Sequence, residues 1–186
     1  LVHLWRVAPA RSVDGHVFRW THPEDEYGQL PLSAPSVFNF FKPDFAQPGE
    51  IRAAGLVSPE FQIATDTQLV SAPNALGWRI FYFYAGSRYS LVWENGAPVP
   101  QEALMDYSAL KALALTPAAL VDHLDLVMLS GRMSGYMRQL LIDRLQAPPP
   151  DQVPGQPGGV AADVALWRVQ QALYLIVNSP EYNVQR

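Results

Sequence analysis

The chain has 186 residues, enough for one ordinary domain, and its 49% hydrophobic content excludes an intrinsically disordered protein. The formal net charge is −4 and the thirteen Lys and Arg residues are scattered, which excludes the clustered positive face that nucleic-acid binding needs. Cysteine is absent, which excludes disulfides and thiol catalysis without fixing the compartment.

Charged residues amount to only 16%, below the usual quarter, so part of the surface is expected to be covered by something else. No apolar run approaches the roughly 18 residues of a membrane span. The opening Leu1-Val2-His3-Leu4-Trp5-Arg6-Val7 lacks the regions of a signal peptide. It starts at Leu rather than Met, and a processed or partial product is the expectation.

In chain order, Leu1, Leu4 and Trp5 share one helical face, and Pro9 ends the pattern. Asp14-Gly15 marks a turn, and Val17 to Thr21 alternates weakly, as in a short edge strand. Pro31, Pro35, Pro43 and Pro48 rule out long helices over this stretch. Ser58-Pro59-Glu60 reads as a helix start, with Ser as cap and Pro in the first turn, and predicts a helix to about Val70. Pro73 or Asn74 then restarts the helix, which continues from Ala75 to Tyr84. Leu91-Val92-Trp93 before Asn95-Gly96 predicts either a loop or a small hairpin.

The later half is helical. Thr116-Pro117 caps a helix with the stripe Leu120, Val121, Leu124, Val127 and Met128, and Gly131 stops it. Ser134 caps a second helix with Met137, Leu140, Leu141 and Leu145 on its apolar side. The segment 147–159 is rich in Pro and Gly and reads as an exposed loop. A last helix, about Val160 to Asn178, is apolar over a broad arc and is expected to be the most buried.

The candidate chemistry is thin. Asp122-His123-Leu124-Asp125 sets carboxylates beside a histidine, but Leu120, Val121 and Leu124 define the buried face, so the group is expected in water. His22-Pro23-Glu24-Asp25-Glu26 lacks the spacing of a calcium loop and reads as an acidic surface loop. Ser108-Ala109-Leu110-Lys111 matches a Ser-x-x-Lys pattern without its companion elements, so Ser108 is assigned to a helix start. Trp78 and Trp167 sit in apolar helix patterns and are expected in the core. Trp20 and Trp93 sit in irregular segments and are the candidate interaction surface. No catalytic, cofactor-binding or metal-ligating residue is assigned.

Four ordered blocks carry a resemblance. They are Leu32-Ser33-Ala34-Pro35-Ser36-Val37-Phe38-Asn39-Phe40-Phe41-Lys42-Pro43, then Gly55-Leu56-Val57-Ser58-Pro59-Glu60-Phe61-Gln62-Ile63, then Asp106-Tyr107-Ser108 with Thr116 to Leu124, and finally Ser179-Pro180-Glu181-Tyr182-Asn183-Val184-Gln185-Arg186. Together they resemble the bacterial family known as domain of unknown function 1800, over the C-terminal portion of its members. Members usually carry a helical N-terminal part with an Asn-Glu-Asn-Tyr/Phe-like block that is absent here. The resemblance implies an exported protein, periplasmic or extracellular, encoded beside members of the domain of unknown function 1501 family, one of which is a candidate partner. It carries over no catalytic residue, and the cofactor stays unknown. The block residues Pro35, Ser36, Phe38, Asn39, Phe40, Phe41, Pro43, Pro59, Glu60, Phe61, Pro180, Glu181 and Tyr182 are read as structural.

The expected fold is mainly α, with an irregular Pro- and aromatic-rich segment (1–57) wrapped on a helical part (58–186) and room for one short β-hairpin. The chain is expected to be a single domain or the C-terminal part of a larger one. Its expected role is a structural or interaction module that docks on a missing N-terminal portion or on another subunit. Two alternatives stand: part of a hydrolase or oxidoreductase whose site the N-terminal portion completes, for which His22 or His123 beside a metal would speak, and a glycan-binding module.

Overall fold

A computed structural model describes residues 2–12, 23–28, 34, 37, 41–63, 65–82, 91–94, 97–100, 103–149 and 163–183. The expected edge strand at 17–21 and most of the exposed loop at 147–159 lie outside these residues. The described elements are α1 (Val2–Val7), β1 (Ala10–Ser12), α2 (Pro23–Tyr27), α3 (Glu50–Ala53), a 3₁₀ helix (Pro59–Ile63), α4 (Asp66–Tyr82), β2 (Leu91–Glu94), β3 (Ala97–Pro100), β4 (Ala103–Met105), α5 (Ser108–Leu113), α6 (Pro117–Leu129), α7 (Gly135–Gln146), α8 (Val164–Val177) and α9 (Pro180–Asn183). The protein is mainly α, and two small antiparallel strand pairs are its only described sheets. β2 and β3 form the hairpin, with Glu94 opposite Ala97. β1 pairs with β4, Ala10 opposite Met105, a link between segments more than ninety residues apart that no local pattern announces.

The described chain divides into two compact units, residues 1–19 with 76–186, and residues 20–75. In the larger unit α8 supplies the most buried residues of any described helix, as its broad apolar arc predicts. Leu173 and Ile176 pack in one cluster with Leu124 of α6, Leu141 of α7, Leu110 of α5 and Leu4 of α1. α6 ends in a turn where Ser130 (φ 57) and Gly131 (φ 72) are both left-handed, and the Gly131 N–H donates to the Asp125 carbonyl at 3.0 Å. Ser130 N–H donates to the same carbonyl, so the turn closes on Asp125, and Gly131 adopts its left-handed conformation without the steric cost of a side chain. Ser134 caps α7 as its type predicts, its Oγ accepting from Met137 N–H at 3.1 Å.

Several local expectations need correction. The helix predicted from Ser58 is a five-residue 3₁₀ helix, and the long helix begins at Asp66, where Thr65 Oγ1 accepts from Gln68 N–H at 3.3 Å. Ser58 Oγ instead accepts from Gln47 N–H at 2.9 Å, so the serine ties down a loop rather than starting a helix. α4 runs through Pro73 without restarting; the proline removes one N–H but seventeen residues of helix continue around it. Thr116 makes no side-chain cap, and α6 begins on Pro117 with the Thr116 carbonyl accepting from Leu120 N–H at 3.2 Å. On α7 Met137, Leu141 and Leu145 are buried as expected, but Ile142 joins them in place of Leu140, which is 41% exposed. The acidic stretch after His22 is the short helix α2, not a loop. The last long helix starts at Val164, which is itself exposed.

Candidate functional site

Of the motifs that could carry chemistry, Asp122, Asp125, Ser108 and Lys111 make structural bonds. Asp122 on α6 pairs with Arg138 on α7 at 2.8 Å, both partly in water. Asp125 Oδ1 accepts from Met133 N–H at 2.9 Å and holds the α6–α7 turn. His123 between them is half-exposed. Among the described residues no group of three or more His, Asp or Glu is placed to hold a metal ion; His22 lies outside them. Ser108 opens α5, its N–H donating to Asp106 Oδ1 at 2.9 Å. Lys111 pairs with Asp163, which also caps α8 by accepting from Leu166 N–H at 2.9 Å. Burial pushes the Asp163 carboxyl up, but the Lys111 ammonium and the helix N–H groups outweigh it and hold the carboxyl below its ordinary value. A Ser-x-x-Lys spacing whose lysine neutralises a helix-capping aspartate is a fold device.

A buried polar node lies at the last turn of α4. The Ile80 carbonyl accepts from Tyr107 Oη–H at 2.9 Å and from Gln170 Nε2–H at 3.0 Å, and the second Gln170 amide hydrogen goes to the Phe81 carbonyl at 3.2 Å. Carbonyls at a helix end have no partner within their own helix, and buried ones must find donors elsewhere. Gln170 is fully buried on α8 and meets that demand. Burial drives the Tyr107 phenol far above its usual range, so it stays a donor at any ordinary pH. On the same helix, Arg168 donates to the Leu145 carbonyl at 2.9 Å and the Ala114 carbonyl at 3.0 Å, so one guanidinium closes the ends of α7 and α5. Arg144 lies over the buried Trp167 ring at 5.0 Å.

The sequence blocks serve the same end. Ser134 N–H and Oγ–H donate to the two Glu181 oxygens at 2.8 and 2.5 Å, so the Ser179-Pro180-Glu181 ending places a carboxylate on the N-terminus of α7. Tyr182 stacks on His3 at 5.8 Å, and His3 Nε2–H donates to the Val127 carbonyl at 2.8 Å. Lys42 N–H donates to Gln62 Oε1 and Ser58 N–H to the Phe45 carbonyl, so the first block is pinned to the second. Phe41, Pro59 and Phe61 are half-buried there, and Pro43 sits exposed in a turn. Pro35, Ser36, Phe38, Asn39, Phe40 and the Glu60 side chain lie outside the described residues, as does Trp20. Trp93 occupies β2 opposite Pro98, its side chain likewise outside them.

Exposed apolar groups make the other candidate surface. Trp78, expected in the core, is 55% exposed and stacks on Tyr82 at 4.4 Å, while Ile80 of the same turn fills the core. Within 20–75 the contrast is sharper. Ser58 and Ala75 are its only described buried residues, whereas Leu56 and Val57 are 60% exposed and Leu69 and Val70 63%.

A mainly helical protein whose described polar side chains brace helix ends, and whose described surface includes uncovered apolar groups, is what these bonds define. The family model described as "Protein of unknown function (DUF1800)" matches residues 1–184, and the chain belongs to that family. No curated protein and no solved structure matches it. Among the described residues no helix is long and apolar enough to cross a membrane.

Proposed function

We propose that this chain is a structural and interaction module of an exported bacterial protein, docking on an N-terminal portion of the same protein or on another subunit. The observation that carries this reading is the absence of a large buried side chain among the described residues of 20–75. A unit of that size whose described residues form no core gains stability from neighbours. The engagement of Asp122, Asp125, Lys111 and Glu181 in helix-bracing bonds supports a non-catalytic role. The exported location and a partner from the domain of unknown function 1501 family follow from the resemblance of the four blocks. Size-exclusion chromatography with light scattering of the 186-residue chain, alone and mixed with such a protein, is the test. A weakly associating, dye-binding chain that forms a defined complex is expected. A monomer that binds no apolar dye and no partner overturns the reading.

A further inference from the structure

Resting on that docking role, we propose that the 20–75 unit is the docking element and that its partner is a polypeptide offering apolar side chains flanked by Lys and Arg. Residues 20–75 hold seven Asp and Glu against Lys42 and Arg52, a formal −5, while the other 130 residues hold ten acids and eleven bases, a formal +1. The protein's negative charge is therefore concentrated on the unit that lacks a described core. Asp44, Glu50 and Asp66 are exposed on that unit, as are Val37, Leu56, Val57, Leu69 and Val70.

The charge decides between occupants. A second copy using the same unit would bring −5 against −5, and like-charge contact opposes association. Nucleic acid and an anionic membrane surface are repelled in the same way. A neutral apolar partner could cover Leu56, Val57, Leu69 and Val70 but would leave the carboxylates without complement. A basic-flanked apolar segment satisfies both: the aliphatic groups leave water, which supplies the driving force, and the carboxylates steer the approach and select the partner. Leu56 and Val57 are well placed for this. They follow Gly55, whose φ of 68 closes α3 with Leu56 N–H donating to the Ile51 carbonyl at 3.0 Å, so both are presented from a closed turn.

Two synthetic helical peptides test the proposal, each with the same leucine face, one flanked by Lys and Arg and its twin by Glu. Both are titrated by fluorescence anisotropy onto the full 186-residue chain at about 150 mM salt. The basic peptide is expected to bind at least about ten-fold tighter than its twin. The double variants Leu56→Ser/Val57→Ser and Leu69→Gln/Val70→Gln, with circular dichroism unchanged, are expected to weaken it about five-fold or more. Tyr136→Gln, an exposed site on α7 in the larger unit, should leave binding unchanged. Equal affinity for the twins, indifference to the double variants, sensitivity to Tyr136→Gln, or binding of neither peptide overturns the proposal. Each of those results leaves the wider docking role standing if the chain still forms its complex on size exclusion. Loss of that complex is what removes the wider role.

Discussion

The larger unit and the 20–75 unit are built from the same kinds of residue and end in opposite states. Residues 1–19 with 76–186 bury Leu4, Ile80, Leu124, Leu141, Leu173 and Ile176 in one cluster, and the buried Gln170 and Tyr107 are tied to the end of α4. Residues 20–75 contain phenylalanines and aliphatics too, yet Phe41, Phe45, Ile51, Phe61 and Ile63 are only half-buried, and the described bonds there join loop to loop, as Gln47 to Ser58, or α4 to the short α2, as Ser71 to the Glu26 carbonyl. Apolar content is therefore not what separates a core from a surface. The larger unit stacks three helices of twelve or more residues on one another, whereas the 20–75 unit sets the first ten residues of α4 beside a five-residue helix, a four-residue helix, a 3₁₀ turn and Pro-rich connections, which offer it little continuous face to stack on.

That contrast can be broken at its strong end first. Leu173→Ala on α8 should cost about 2–5 kcal/mol, read as a fall in the urea midpoint at constant slope. Gln170→Leu should cost about 1–3 kcal/mol because the partly buried Phe81 carbonyl loses its donor and the buried Ile80 carbonyl loses one of two. Ser134→Ala should cost about 1 kcal/mol through loss of the α7 cap, and a double-mutant cycle with Glu181→Ala should show coupling between the two. Asp163 sets a pH effect. Its carboxyl is held below the ordinary value in the folded state, so its contribution is full above about pH 4, where the unfolded group is also ionised. It is lost as the pH falls through the lowered folded value. The stability gap between the wild type and Asp163→Asn should therefore be widest near neutrality and close in acid. The smallest effect belongs to the weak end: Val57→Ser or Leu69→Gln should change stability by less than about 0.5 kcal/mol. A loss of several kcal/mol there would show a hidden core and erase the contrast.

Much of the helical part was legible in the sequence because its signals are local. The stripe Leu120-Val121-Leu124-Val127-Met128, the Gly131 stop and the Ser134 cap each act within a few residues, and each stands as read save that Val127 is half-buried. The misses are tertiary. Ser58 carries every mark of a helix cap, but Gln47 claims its hydroxyl. Trp78 lies in an apolar pattern, yet the face toward the core belongs to Ile80 and its own face is left open. Leu140 and Ile142 exchanged roles because a leucine-rich helix has two nearly equal apolar faces and only the partner chooses between them. The polar brace of Gln170 and Tyr107 onto α4 joins residues 89 and 27 positions away from their partners, a separation at which a single sequence carries no mark. Trp20 and the Trp93 side chain lie outside the described residues, and the apolar exposure among those described falls on Trp78 and on the aliphatics of 20–75.

Native-state hydrogen exchange of the isolated 186-residue chain, read by mass spectrometry, tests the difference between the units most directly. The expected result is slow exchange in α6 and α8, approaching the limit set by global unfolding, with 3₁₀-helix and α3 amides of the 20–75 unit exchanging orders of magnitude faster through local opening. Equal protection of both units would show that residues 20–75 are held by a core of their own and would contradict the account.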